Sequence, residues 1–323
     1  MANDDDDAVV SSATAFTGAG AALNRAEVKL EQDRQGRAST GSYRPSGDRV
    51  GEMRGAEEGP LPENYVNPAE KYVLVEEEDR RFRLVGTAAE ARVTLLETTA
   101  APLAVDNRVR ITNTTAWPNR VHGHCIITYP DNKQYIGSGT MVNKHHVLTA
   151  GHVVFSKANG GWAKTIQFNA AQNDETLPFG SAFATHVFAF KGWSEHQKRD
   201  YDTGLLILNR DLGDQTGWMG VINATDNHLS NHQITVSGYP GDKGGQQLWA
   251  ASAPIATVAS HQIRYNAYTK GGDSGAGVYG IWQGHNMEHV CADHVAGPNG
   301  VPNTGSRVTK DKFDRIVKDW FTK

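Results

Sequence analysis

The sequence predicts an all-β protein, a barrel or sandwich of short strands closed by one C-terminal helix. Three observations carry this. From about residue 106 onward, short runs rich in β-branched and aromatic residues alternate with turns of Gly, Asn, Asp and Pro. Residues 309–323 instead repeat apolar side chains at helical spacing. The first hundred residues have a different composition. They carry 19 acidic and 12 basic side chains, whereas residues 101–323 carry 17 and 20.

The elements follow in chain order. Residues 1–7 are acidic where a signal peptide is basic, and no apolar core follows them. Residues 8–62 are rich in Ala, Gly, Ser and Arg, a composition that buries little core and predicts disorder. A short helix is expected over 21–35, and strands over 71–75, 81–85 and 92–96. Residues 1–100 therefore read as a partly disordered pro-region or regulatory segment. Strands are then expected over 124–129, 135–142, 146–149, 165–169, 186–190 and 204–208. A second set covers 234–238, 246–250, 254–260, 262–265, 276–279 and 289–292, with a last strand at 307–308. Thr309 caps the final helix, where Phe313, Ile316, Val317, Trp320 and Phe321 share one face. That stripe is a packing face. No run reaches the ~20 apolar residues that cross a bilayer.

The chemistry centres on Thr269-Lys-Gly-Gly-Asp-Ser-Gly275. A serine hydroxyl is a weak nucleophile and needs a base beside it and N–H donors for the oxyanion. Glycine before the serine lets the Gly272 and Ser274 N–H groups converge, and Gly275 avoids a clash behind the nucleophile. Alone, such a segment is an ordinary turn. Upstream, the run His146-Val-Leu-Thr-Ala-Gly-His152 ends in small residues and then an imidazole. Between them, Asp200-Tyr-Asp202-Thr-Gly-Leu-Leu places an acid before an apolar strand. Asp200 and Asp202 share a face by the period of two. Asp202 is preferred because Thr-Gly-Leu-Leu follows it directly, and Asp200 is the alternative. The order His152, Asp202, Ser274 is that of one known Ser-His-Asp arrangement and not of two others.

With these residues in place, the chain from about Asp106 resembles the glutamyl endopeptidases, a bacterial branch of the chymotrypsin-like serine proteases. The resemblance rests on Asp106-Asn-Arg-Val-Arg-Ile-Thr112, Thr235-Val-Ser-Gly-Tyr-Pro-Gly-Asp-Lys243, the nucleophile loop and Val290-Cys-Ala-Asp-His294. It implies two six-stranded antiparallel β-barrels of chymotrypsin-like type. The first would span 101–215 and hold His152 and Asp202. The second would span 216–323 and hold Ser274, the pocket and the C-terminal helix. It implies cleavage after Glu, with Asp as the second choice, in protein or peptide substrates, and synthesis as a zymogen. It also implies secretion, although the sequence shows no signal peptide and an intracellular protease stays open. No cofactor is expected, and a monomer is. Two departures stand out: Asp273 replaces an asparagine of staphylococcal members, and Val153-Val154 follow His152 where animal enzymes have cysteine.

Substrate preference turns on Thr269 and His294, which the resemblance places at the pocket. A buried carboxylate needs hydrogen bonds or a cation, and a hydroxyl plus an imidazole meets that need. Were His294 protonated, recognition would weaken as pH rises through the histidine range. No acid lies near Tyr268, as a pocket for basic side chains would require. The pairs His122/His124 and His145/His146 lack a Cys or carboxylate partner at ligand spacing, so they read as surface histidines and no metal is expected. Cys125 and Cys291 are expected to be buried thiols in different barrels, with a disulfide as the alternative. The small positive excess after residue 100 is too weak for nucleic-acid binding. Two other functions remain: a protease of the same fold with another preference, and a silent protease-like module that binds peptides.

Overall fold

Alternation of inward and outward side chains along short strands closes two antiparallel rings. The structure, a computed structural model, describes residues 9–11, 72–76, 82–87, 106–282, 285–297 and 303–323. Three strands precede the rings: β1 (Val9–Ser11), β2 (Tyr72–Glu76) and β3 (Phe82–Thr87). A short strand β4 (Val109–Arg110) follows. The first ring contains β5 (His122–Thr128), β6 (Gln134–Met141), β7 (His146–Thr149), β8 (Thr165–Ala170), β9 (Ala182–Phe190) and β10 (Gly204–Leu208). The second contains β11 (Gln233–Gly238), β12 (Trp249–Val258), β13 (Gln262–Tyr265), β14 (Gly277–Ile281), β15 (Glu288–Ala296) and β16 (Asn303–Arg307).

The first ring closes in the order β5–β6–β7–β10–β9–β8, and the second in the order β11–β12–β13–β16–β15–β14. Closure removes the open edges that a flat sheet would expose. This is the double six-stranded barrel expected. The runs 246–250 and 254–260 are one strand, β12, rather than two. Pro254 faces outward at the last pair with β11 (Gln233↔Pro254), so its missing N–H does not break the ladder. The last strand also begins earlier than expected, at Asn303.

The two halves of the sequence are interleaved at their ends. β4 pairs with β12 of the second barrel (Trp249↔Arg110), although it lies in the segment assigned to the first. The C-terminal helix Lys310–Asp314, capped by Thr309, continues through a π turn and a final 3-10 turn. It carries Trp320 back onto Phe188 and Phe190 of the first barrel, at ring distances of 5.7 and 5.0 Å. Phe313, Ile316, Trp320 and Phe321 are buried, as their spacing predicts.

The histidine pairs are buried, not on the surface. His122 and His124 project from β5 toward the second barrel. His122 Nδ1 lies 3.0 Å from Thr140 Oγ1 and its ring stacks on Tyr279, while His124 Nδ1 lies 3.0 Å from Gln172 Oε1 and its ring stacks on Tyr239. His145 bonds Asp211, and His146 packs on Phe321. Each ring has at least one hydrogen-bonding or aromatic neighbour. Cys125 and Cys291 are free and buried, one in each barrel.

Before residue 106, the strands expected over 71–75 and 81–85 match β2 and β3. β3 extends the first barrel by pairing with β6 (Arg83↔Tyr135). Within the stretch expected to lack structure, β1 forms a strand, paired with β9 (Val9↔Phe190). The edge of β9 is open there, because β8 pairs only with its first residues, Ala182 and Phe183. The helix 21–35, the strand 92–96 and the remainder of residues 8–62 lie outside the described residues. Among the described residues, no helix is long and apolar enough to cross a membrane.

Candidate active site

The site forms where the first barrel's β7 and β10 meet the second barrel's nucleophile loop. β7 ends in Thr149, and the short helix Gly151–Val154 carries His152. Asp202 lies just before β10 and is fully buried. Its Oδ2 is 2.9 Å from His152 Nδ1, and its Oδ1 accepts the His152 backbone N–H at 2.7 Å. Tyr129 holds the same turn by donating to the His152 carbonyl at 2.6 Å. Trp193 presents its ring edge-on to the imidazole at 6.1 Å. Asp200 is turned away: its Oδ1 accepts from Gln262 Nε2 at 2.6 Å. Of the two acids read from the sequence, Asp202 alone meets the imidazole.

Ser274 is held by main chain. Its carbonyl accepts from Ser138 N–H at 2.8 Å, and the next N–H, of Gly275, donates to His294 carbonyl at 2.8 Å. The Ser138 hydroxyl donates to Gly272 carbonyl at 2.8 Å. Gly272 and Gly275 both adopt positive φ, 101° and 87°. A Cβ on Gly275 would sit 2.1 Å from Thr149 Oγ1 and 2.9 Å from Ala150 N. The absence of a side chain is what lets the loop abut the turn that carries His152. Ser274 Oγ makes no hydrogen bond to His152 in this structure. Such bonds often tighten only around substrate.

Asp273 is buried, and burial pushes its carboxyl up to about 7 despite the Lys270 backbone N–H at 2.9 Å and the charge of Arg108. Arg108 itself is committed elsewhere. Its guanidinium donates to Asp242 at 2.8 and 2.6 Å and to Asp106, and it stacks over Tyr268 at 4.7 Å. The segment around Arg108 thereby lines the approach to residues 267–270, with Asn107 Oδ1 accepting from Tyr268 N–H at 2.9 Å.

His294 follows from β15, beside the nucleophile loop, and is buried. Its Nδ1 lies 2.8 Å from the hydroxyl of Tyr265, a buried residue that the sequence reading did not single out. Burial and the neighbouring His152 push the imidazole down to about 3, which favours its neutral form. That depression runs against the protonated His294 on which the expected weakening with rising pH depends. Burial likewise holds Tyr265 as a phenol. Thr269 is partly exposed, and its Oγ1 is 3.3 Å from the place a Cβ on Gly297, just beyond β15, would take. Alternation along β13 predicts that Tyr265 points inward. Only the fold shows that it meets His294. Among the described residues, no group of three His, Cys, Asp or Glu is placed to hold a metal.

Comparison with known proteins agrees with this geometry. The chain is similar to an extracellular metalloprotease of Bacillus subtilis, 33% identical over 66% of this chain and 68% of that one. It is similar to a glutamyl endopeptidase of Bacillus licheniformis, 34% identical over 66% of this chain and 66% of that one. Among solved structures it resembles a Glu endopeptidase in complex with MPD, with a TM-score of 0.58, 25% identity and coverage of 66% of this chain and 96% of that one. The Trypsin family model matches residues 113–298, more than half of the chain, with all six strands of the first barrel and five of the second. An imidazole–carboxylate pair facing a serine loop across two closed barrels, in a chain so matched, is that of a serine endopeptidase belonging to the trypsin family.

Proposed function

We propose that the chain cleaves peptide bonds after glutamate, with Ser274 as nucleophile, His152 as general base and Asp202 as its orienting acid. In this reading the N–H groups of Gly272 and Ser274 receive the oxyanion. Thr269 and His294 read the substrate carboxylate. The observation that carries the preference is the buried, neutral His294 held by Tyr265. With the phenol donating to Nδ1, the proton sits on Nε2 and is available to a carboxylate. Trypsin-like recognition of Lys or Arg would need an acid in the pocket wall, and neither Tyr268 nor Thr269 supplies one.

Residues 1–100 are proposed as a pro-region, with the first barrel in 101–215 and the second in 216–323. Glu97 gives a glutamate-specific enzyme a site for its own activation. Trimming from there toward Ala101 or Val105 would leave a free amine near the pocket. Asp273, buried and with its carboxyl raised to about 7, is the group such an amine would relieve. Export and a monomeric state complete the proposal, the first supported by the extracellular relative of Bacillus subtilis.

A cleavage-site profile on a whole-proteome digest tests the preference. Enrichment of Glu before the scissile bond is expected, and a profile without it sinks the reading. N-terminal sequencing of incubated wild type beside Ser274→Ala tests activation: wild type should shorten and the variant should not. A full-length, active wild type would refute the zymogen.

A further inference from the structure

A second group of buried charges lies behind Asp202, on the side away from His152. Asp202 occupies a tight turn, with φ −76° and ψ 59°, and the Thr203 N–H donates across it to Tyr201 carbonyl at 2.8 Å. This is an inverse γ-turn, held by one bond. Lys312, from the C-terminal helix, reaches into that turn and is 1% exposed. Its ammonium donates to the Asp200 carbonyl and, at 2.7 Å, to the Ser306 hydroxyl. It lies 3.5 Å from Thr203 Oγ1 and 5.9 Å over the Tyr201 ring. Lys312 thus touches Asp200, Tyr201 and Thr203, the residues that set the backbone of Asp202.

The opposite charge comes from β15. Asp293 and His294 are neighbours with side chains on opposite faces, His294 toward Tyr265 and Asp293 toward Thr203. The Thr203 hydroxyl donates to Asp293 Oδ1 at 2.8 Å and lies 3.0 Å from Ser306 Oγ. Asp293 is fully buried, and its Oδ2 has no hydrogen-bond partner. A lysine and an aspartate buried this deeply are costly unless each compensates the other or a neighbour. Burial raises the Asp293 carboxyl well above the usual range, the charge of Asp202 adds to this, and Lys312 opposes it. Asp293 is thereby held toward its neutral form, Asp202 supplies the negative charge at this spot, and Lys312 is the cation placed to offset it.

We infer that Lys312 and Asp293, bridged by Thr203 and Ser306, are positioning residues for Asp202: the C-terminal helix sets the orientation and charge balance of the acid behind the base. The inference rests on the proposed triad and is independent of substrate preference. The charged and titratable groups facing Lys312 are Asp200, Tyr201 and Asp202 before β10, Asp293 on β15, and His152 beyond Asp202; His261 packs on Tyr201 at 5.4 Å.

The test measures the second-order rate of Ser274 labelling by a fluorophosphonate against pH, on the full chain. This probe needs the nucleophile and base but not the glutamate pocket. Loss of the cation in Lys312→Met should cut the rate at least tenfold. It should also move the acid limb of the profile upward by about half a pH unit or more, because His152 then faces uncompensated negative charge. Thr203→Val, which removes the bridge without changing charge, should lower the rate and leave the limb in place. Lys310→Met, on the same helix but exposed, should change neither. A folded Lys312→Met with wild-type rate and limb overturns the inference. If Lys312→Met does not fold, an unchanged rate in Thr203→Val overturns it. Wild type that fails to label both before and after incubation that shortens it would refute the triad beneath it, and a normal label with no glutamate preference would refute only the pocket.

Discussion

The two barrels contribute to the site by different means. The first presents functional side chains bonded to each other: His152 and Asp202 share contacts at 2.7 and 2.9 Å. The second presents a loop shaped by backbone, in which Ser274 is placed through its own carbonyl and through glycines at positive φ. One half is a network of charged groups, and the other is a piece of main-chain geometry. Substitutions that spare shape should therefore injure the first half most, and substitutions that spare charge should injure the second.

The largest break is expected on the triad. Ser274→Ala, His152→Ala and Asp202→Asn should each cut turnover by several orders of magnitude, because the three act as a unit. Asp200→Asn, which loses only its bond from Gln262, should stay far closer to wild type in the same peptide-hydrolysis assay. A reversal of the two aspartates would mean that the observed pairing is not the working one.

Next comes Gly275→Ala, which alters no charge. The added methyl would collide with Thr149 Oγ1 at 2.1 Å, so the loop must withdraw from the His152 turn. A loss of roughly 10²–10³-fold in kcat, with a lowered Tm, is expected by analogy with losing one oxyanion donor. An active, stable variant would show that the nucleophile loop tolerates displacement.

The pocket sharpens the comparison, since it joins both means. His294→Val should reduce kcat/KM on Glu substrates about 10²-fold more than on uncharged ones, from ~3 kcal/mol of unpaired carboxylate. Tyr265→Phe should have the same selectivity at about tenfold, because it frees the tautomer while keeping the ring. Equal losses on all substrates would make both residues structural.

A last effect falls on stability, away from the site. Burial pushes His122 down to about 3 and His124 to about 4 from an ordinary value of 6.5. Depressed values mean that the unfolded chain takes up protons first as pH falls. Stability from these two is fully present above pH 6.5 and lost below it, by roughly 3 kcal/mol each near pH 4. His122→Gln should flatten the acid side of a Tm-against-pH curve; an unchanged slope would place the acid sensitivity elsewhere.

The contact of His152 with Asp202 was legible because each sits in a short local signature read directly along the chain. The same holds for the helix stripe from Phe313 to Phe321. What stayed hidden depends on contacts between distant segments. Tyr265 meets His294 across 29 residues, and Lys312 meets Thr203 across 109. His122 and His124 were misjudged for a related reason. Alternation says that they share a face, but only the packing of the second barrel against β5 says that the face is covered. The runs 246–250 and 254–260 erred in the other direction: the small residues Ala251, Ser252 and Ala253 interrupt the strand pattern without interrupting the strand.

The ladders from β1 to β9 and from β3 to β6 carry one further consequence. Both lie upstream of Glu97, and both are made of backbone hydrogen bonds that a peptide-bond cleavage leaves untouched. Under the proposed cleavage after Glu97, severing the chain and shedding the leading fragment would be two events with two rates. A nicked complex would persist between them, and its lifetime would depend on dilution, since a detached strand can re-anneal. Activation followed by a gel would look complete while the fragment still sat on the barrel. Size exclusion of the nicked protein, run at two concentrations, would separate the events.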